Sequence, residues 1–291
     1  MSIFDGKPIE MNPGVVLSAS RMTDMPKFYP EQLIEGVNSR LERGLAIHTL
    51  VLWTKHPGSL LLNPLRTYLE ALKNKDIQLY VQLTVTGLGG RCIGVKSNGK
   101  PLVLEPKAPS LQDSLPVLPE IIDLVGKPER IRLRVDPIVR IKGGEGNIFS
   151  SLKFLPFIVR EAAQYGIKHF IFSFLEKQTH RKVDKRFEEV GCRILPPDEM
   201  ERHRTLNWLK QVESKYGVYI SACCVPGFPE SKCIDGALLQ RLHDHQEPAD
   251  LRQPRKRPQC GCTFSIDIGG WPPKLCHTGC DYCYAQSNYV D

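Results

Sequence analysis

Short apolar runs rich in β-branched residues alternate along the chain with longer stretches whose apolar residues recur at helical spacing. The runs at 14–20 (GVVLSAS), 46–53 (AIHTLVLW), 77–84 (IQLYVQLT), 131–137 (IRLRVDP), 169–174 (HFIFSF) and 218–223 (VYISAC) read as strands. Amphipathic stretches at 30–43, 64–75, 113–125, 148–165, 197–216 and 236–245 read as helices, the fifth opened by Asp198 near its cap. Near-continuously apolar strands joined by helices predict a parallel sheet covered by those helices. Right-handed crossovers then curl about six strand–helix units into an α/β fold, a full or partial TIM-like (β/α) barrel. A glycine- and proline-rich excursion at 87–109 interrupts the series, with a hairpin expected around Asn98-Gly99. Residues 1–245 are expected to form the barrel domain. Residues 246–291 are expected to be a polar linker (246–258) and a cysteine-rich tail packed at the barrel mouth as one unit with it.

In parallel α/β folds ligands bind at the carboxyl ends of the strands. Five of the predicted strands end in polar residues: Ser18 to Asp24, Trp53 to Pro57, Thr84 to Gly87, Arg134 to Pro137, and Ser173-Phe174. One polar terminus would be unremarkable; five suggest a single polar mouth. Arg21, Asp24, Lys55, Arg134 and Asp136 are the expected catalytic groups there, and Ser20, Thr86 and Tyr282 the expected cofactor contacts. The competing reading is that Arg21 with Asp24, and Arg134 with Asp136, are rim salt bridges and helix caps.

The cysteines change the picture most. Eight of the ten lie in the last quarter, at 223, 224, 233, 260, 262, 276, 280 and 283, while Cys92 and Cys192 stand alone. Met1 to Lys7 show no basic flank leading into a long apolar run, so no signal peptide is expected, and no stretch approaches the length of a membrane span. The thiols therefore read as metal ligands or core residues in a reducing cytoplasm rather than as disulfides. A formal charge of +7 is a mild excess that says more about solubility than about a partner.

Cys276, Cys280 and Cys283 stand at C-x3-C-x2-C spacing with Tyr282 before the third. One short loop can wrap three thiolates around three corners of a cubane cluster and leave the fourth iron for an outside ligand. A zinc knuckle borrowing its fourth ligand is the alternative. Cys223, Cys233, Cys260 and Cys262 make a second set of four, suited to zinc or to a second iron–sulfur cluster, with Cys224 the rival to Cys223. Arg252, Arg255, Lys256 and Arg257 form a basic run in the linker that reads better as a solvated connector than as a nucleic-acid contact. Gly143-Gly144-Glu145 reads as a solvated loop.

The tail motif resembles the cluster loop of radical S-adenosylmethionine enzymes, and in particular of spore-photoproduct-lyase-like members. That resemblance implies one or two [4Fe-4S] clusters, S-adenosylmethionine on the open iron, a small-molecule or modified-nucleotide substrate, and an electron donor such as a ferredoxin or flavodoxin. In the wider superfamily the motif follows the first strand; here it follows the last, as in a circular permutation. Three segments, Ser18 to Asp24, Leu52 to Lys55, and the tail from Cys260 to Ala285, are together similar to a prokaryotic family catalogued as domain-of-unknown-function family 1848. This second resemblance implies an iron–sulfur-binding C-terminus and names no reaction. Two further classes compete with the radical-enzyme reading: an α/β hydrolase or binding protein with a stapled tail, and a nucleic-acid-binding factor.

Overall fold

The computed structural model describes residues 13–254 and 259–285. All six expected strands form: β1 (Val15–Ala19), β2 (Ile47–Thr54), β3 (Gln78–Thr84), β4 (Ile131–Ile138), β5 (His169–Phe174) and β6 (Tyr219–Ala222). A seventh, β7 (Ile266–Asp267), comes from the tail, where little regular structure was expected. Every pairing is parallel, and the order is β6-β5-β4-β3-β2-β1-β7. Each strand lies beside its predecessor, which is the winding a barrel requires. Closure would need β6 to pair with β7, and no closed barrel forms among the described residues. The chain after β6 folds back along that edge: Ala222 N–H donates to Pro229 O and Ser231 N–H to Ala222 O, both at about the length of a ladder bond. The groups a closing strand would use are taken.

Helices α1 (Pro30–Glu42), α2 (Leu65–Lys73), α3 (Leu118–Val125), α4 (Leu155–Ala163) and α6 (Glu199–Tyr216) bury their apolar stripes on one sheet face. Leu50, Leu52, Leu79, Val81, Leu83, Leu133, Phe170, Phe172 and Ile220 supply that face. The expectation of near-continuously apolar strands needs correcting here, because the opposite face carries Ser18, Gln78, Gln82, Arg132 and Arg134 among its apolar residues. Buried polar groups need partners, and these find them on the segment 232–242, which holds α7 (Gly236–Leu242). Gln82 donates to Cys233 O, Arg132 to Lys232 O, and Gln78 to Leu239 O. That segment fills the concave face with Ile234 and Leu239 against Val16, Val51 and Tyr80.

A second core lies beyond the strand tips. The expected hairpin pairs Cys92–Val95 with Pro101–Val103, turning at Gly99 with φ +79°. A small antiparallel sheet joins Arg140–Lys142, Ile148–Ser150 and Arg193–Ile194. The Gly143-Gly144-Glu145 loop is the turn of that sheet, and the helix expected from 148 begins only at Leu155. A helix not expected at all, α5 (Arg181–Glu189), packs Val183 and Phe187 into this core beside Leu88, Leu104 and Val139. Arg255, Lys256 and Arg257 of the linker lie outside the described residues. Among the described residues no helix is long and apolar enough to cross a membrane.

Candidate metal centre

The tips of β1, β2, β3 and β4 carry one connected polar network. Ser20 Oγ donates to Asp267 of β7 at 3.0 Å, so the tail strand is held to the first strand by side chains as well as by register. Trp53 donates its indole N–H to Ser18 Oγ at 3.0 Å, and the guanidinium carbons of Arg21 and Arg134 lie 5.6 and 5.3 Å from its ring centroid. Asp24 is enclosed by Thr54 Oγ1 at 3.0 Å, the Lys55 N–H at 2.7 Å and the Lys27 N–H at 3.3 Å. Burial nevertheless pushes its carboxyl up to about 6. Its contacts are those of a cap at the turn between the first two strands.

Glu105 is the hub of the network. This buried carboxylate accepts from Thr86 Oγ1 at 2.7 Å, Lys55 Nζ at 3.1 Å and Tyr282 Oη. Lys55 Nζ also reaches Tyr282 Oη at 3.0 Å. Burial alone would lower the Lys55 ammonium; Glu105 and Cys280 outweigh it and raise the group. Burial, followed by the charge of Glu105, raises the Tyr282 phenol well above its ordinary range. Glu105 was not expected from the sequence, since it follows the hairpin in a segment with no periodicity to flag a buried acid.

The loop of Cys276, Cys280 and Cys283 is seated on this network and on the second core. Thr23 Oγ1 donates to Lys274 O and Tyr29 Oη to Leu275 O, at 2.7 and 2.8 Å. His56 Nε2 lies 3.0 Å from Thr278 Oγ1, and Asp281 N–H donates to Leu104 O at 2.9 Å. Arg186 of α5 donates to both Asp281 O and Cys283 O, at 2.6 and 2.9 Å. Cys280 is buried with Tyr282 among Leu88, Leu102 and Leu104, and Cys283 packs against them. Burial pushes the Cys280 thiol well up; Lys55 opposes this, while Cys283 and Cys276 lie close enough to add to it. The loop thus brings its three sulfurs into one electrostatic neighbourhood beside Lys55.

The other four expected ligands meet on the concave face. Cys223 extends β6 by donating its N–H to Phe172 O at 2.8 Å, whereas Cys224 is exposed with φ +55°. Cys233 and Cys262 are buried together with Ile171, and Cys223, Cys260 and Trp53 pack against them. Arg134 Nη1 donates to Cys233 Sγ at 2.9 Å and pairs with Asp136, which Ser173 also reaches. Hydrogen bonds from Cys223 and Cys262, then Arg134, hold the Cys233 thiol well down and leave its two neighbours raised. Among the described residues, no three His, Cys, Asp or Glu side chains are arranged around a common ion position. The thiols are grouped, sulfur against sulfur, rather than spread around a centre.

A family model described as "Domain of unknown function (DUF1848)" matches residues 16–285. No curated protein and no solved structure matches the chain.

Proposed function

The chain belongs to the DUF1848 family, whose description assigns no reaction, and we propose from its own residues that it is an iron–sulfur enzyme of radical S-adenosylmethionine type. The observation that carries this reading is the seat of the C-x3-C-x2-C loop: it follows a tail strand paired in parallel with β1, and it abuts the polar tips of β2 and β3. A loop that follows the last strand in sequence therefore follows a neighbour of the first strand in space, which removes the main objection to the permuted order. The donor set fits a cubane with one open corner, since three thiols share the short loop and the other described tail cysteines pack elsewhere.

When bound, such a cluster would supply a low-potential electron and an open iron site for reductive cleavage of S-adenosylmethionine. The rest falls to the chain's own residues. Tyr282 and Cys280 are buried, so the loop excludes water from the side that faces Lys55. Lys55 and Glu105 fix the Tyr282 ring that stands beside Cys283. The exposed Arg21 guanidinium, resting near Trp53, is the cation best placed to orient an anionic group entering the mouth.

Anaerobic reconstitution with iron and sulfide tests the reading. The expected product is brown, absorbs broadly near ~400 nm as thiolate-bound iron–sulfur does, and cleaves S-adenosylmethionine when reduced. Serine at Cys276, Cys280 or Cys283 should abolish both properties. A colourless product with no bound iron would exclude the proposal.

A further inference from the structure

We propose that Cys223, Cys233, Cys260 and Cys262 form a mononuclear tetrathiolate zinc site that ties the tail to the concave face of the sheet. This inference is independent of the iron–sulfur reading, because none of the four sits on the C-x3-C-x2-C loop. The first support is where the ligands come from. Cys223 ends β6 and Cys233 lies on the segment clamped by Gln82 and Arg132, so two sulfurs belong to the sheet and its plug. Cys260 and Cys262 come from the far side of the linker, and Thr263 N–H docks that strand end on Ile234 O at 2.9 Å. All four pack as one group with Ile171 and Trp53.

The second support is spacing. The sulfurs of Cys223 and Cys262 are both in hydrogen-bonding contact with that of Cys233. In a tetrahedral site with Zn–S of about 2.3 Å the sulfurs lie about 3.8 Å apart, which is the same contact scale. A cubane holds each cysteine sulfur on a different iron and so keeps them well beyond such contact. The grouping therefore selects a single ion over a second cluster. Ion binding exchanges the sulfur–sulfur contacts for four Zn–S bonds and releases the thiol protons to solvent.

The third support is charge. Four thiolates around one divalent ion leave a net charge of −2, which needs a cation when buried. Arg134, itself buried, points Nη1 at Cys233 Sγ at 2.9 Å, an outer contact of the sort that orients and tunes a thiolate ligand. Sulfur-only ligation with no open position makes the site structural rather than catalytic.

The test uses the full chain purified without added metal. One zinc per chain is expected, with an X-ray absorption edge fitting four sulfur neighbours near ~2.3 Å. Cys262→Ser should lose at least nine-tenths of the zinc, while Cys280→Ser should keep it. If Cys262→Ser does not fold, cobalt(II) titration of the unaltered chain stands in, and the intense sulfur-to-cobalt charge-transfer bands of a tetrahedral tetrathiolate are expected. Zinc retained by folded Cys262→Ser would overturn the proposal. So would nitrogen or oxygen neighbours at the zinc, or iron–sulfur lost in Cys262→Ser but kept in Cys280→Ser. Failure of the iron–sulfur reading shows differently, as a chain that holds zinc but takes up no iron on reconstitution.

Discussion

At the level of single residues, buried charge governs behaviour, and Glu105 is the clearest case. It is the only carboxylate that Lys55 pairs with among the described residues, and the Lys55 side chain is 17% exposed. Removing one partner of a buried pair leaves the other uncompensated. Glu105→Gln is expected to cost about 3 kcal/mol in urea unfolding, against about 1 kcal/mol for Tyr282→Phe, which removes a single hydrogen bond. Equal costs would show that Glu105 is not the hub. Titration offers a second handle, with opposing signs. His48 is sealed between Thr49 Oγ1 at 2.6 Å and Glu247 O at 2.9 Å, and burial pushes its imidazole down to about 4. The unfolded chain then takes up this proton first, so stability is full above about pH 6.5 and falls by about 3 kcal/mol as pH drops toward 4. Asp24, raised to about 6, works the other way: it favours the folded chain below about pH 4 and loses that contribution as pH rises through 6. His48→Gln should therefore flatten the acid loss between pH 6.5 and 4, and Asp24→Asn should steepen it. If denaturation midpoints over that window move in the same direction for both variants, the assignment fails.

Among the elements, β7 matters out of proportion to its two residues, because it converts the tail from an appendage into a sheet edge. Ile268 N–H donates to Ser18 O, and Gly269 comes so close to Ser20 that a Cβ there would lie 2.5 Å from the serine side chain. Gly269→Ala is expected to force the tail strand away from β1 and to cost about 2 kcal/mol, the usual scale of overpacking. Gly58→Ala, where an added Cβ meets nothing within 4 Å, serves as the control and should stay within about 0.5 kcal/mol. A neutral Gly269→Ala would mean the tail strand is not held against β1. The six main strands were legible because each carries four or more apolar positions in a short run. β7 was not, because Ile266 and Asp267 are too few to show a period. Helix α5 was hidden for another reason: only Val183 and Phe187 are buried in it, and a single i, i+4 pair in a charged stretch does not stand out. The polar concave face was misread because Gln78, Gln82 and Arg132 look like interruptions of an apolar strand until the carbonyls they bond come into view.

For the molecule as a whole, the question is what holds the last thirty or so residues in place. Four independent ties do so: the β1–β7 pairing, the Ser20–Asp267 bond, the Lys55–Glu105–Tyr282 cluster, and the Arg186 grip on the loop carbonyls. The polar strand tips and the cysteine spacing could be read from sequence because residue type and spacing carry chemistry locally. The hub at Glu105 and the reach of Arg186 could not, since both depend on folding segments distant in sequence onto one loop. Two of these ties end directly on the cysteine loop, and the proposed zinc site adds another upstream at Cys260 and Cys262. The sheet and its helix layer have their own apolar core, which includes a single tail residue, Ile268. Loss of metal should therefore loosen the tail selectively. Amide exchange, measured before and after chelation under reducing conditions, is expected to rise at 259–285 while β2, β3 and β4 stay protected, because local opening follows the contacts a segment has lost. Arg186→Ala should produce a milder version confined to 280–285, with the zinc-binding end at 260–262 unaffected. If chelation instead raises exchange evenly across β2 to β4, metal and sheet fold as one cooperative unit, and the tail is part of the core rather than a module docked on it.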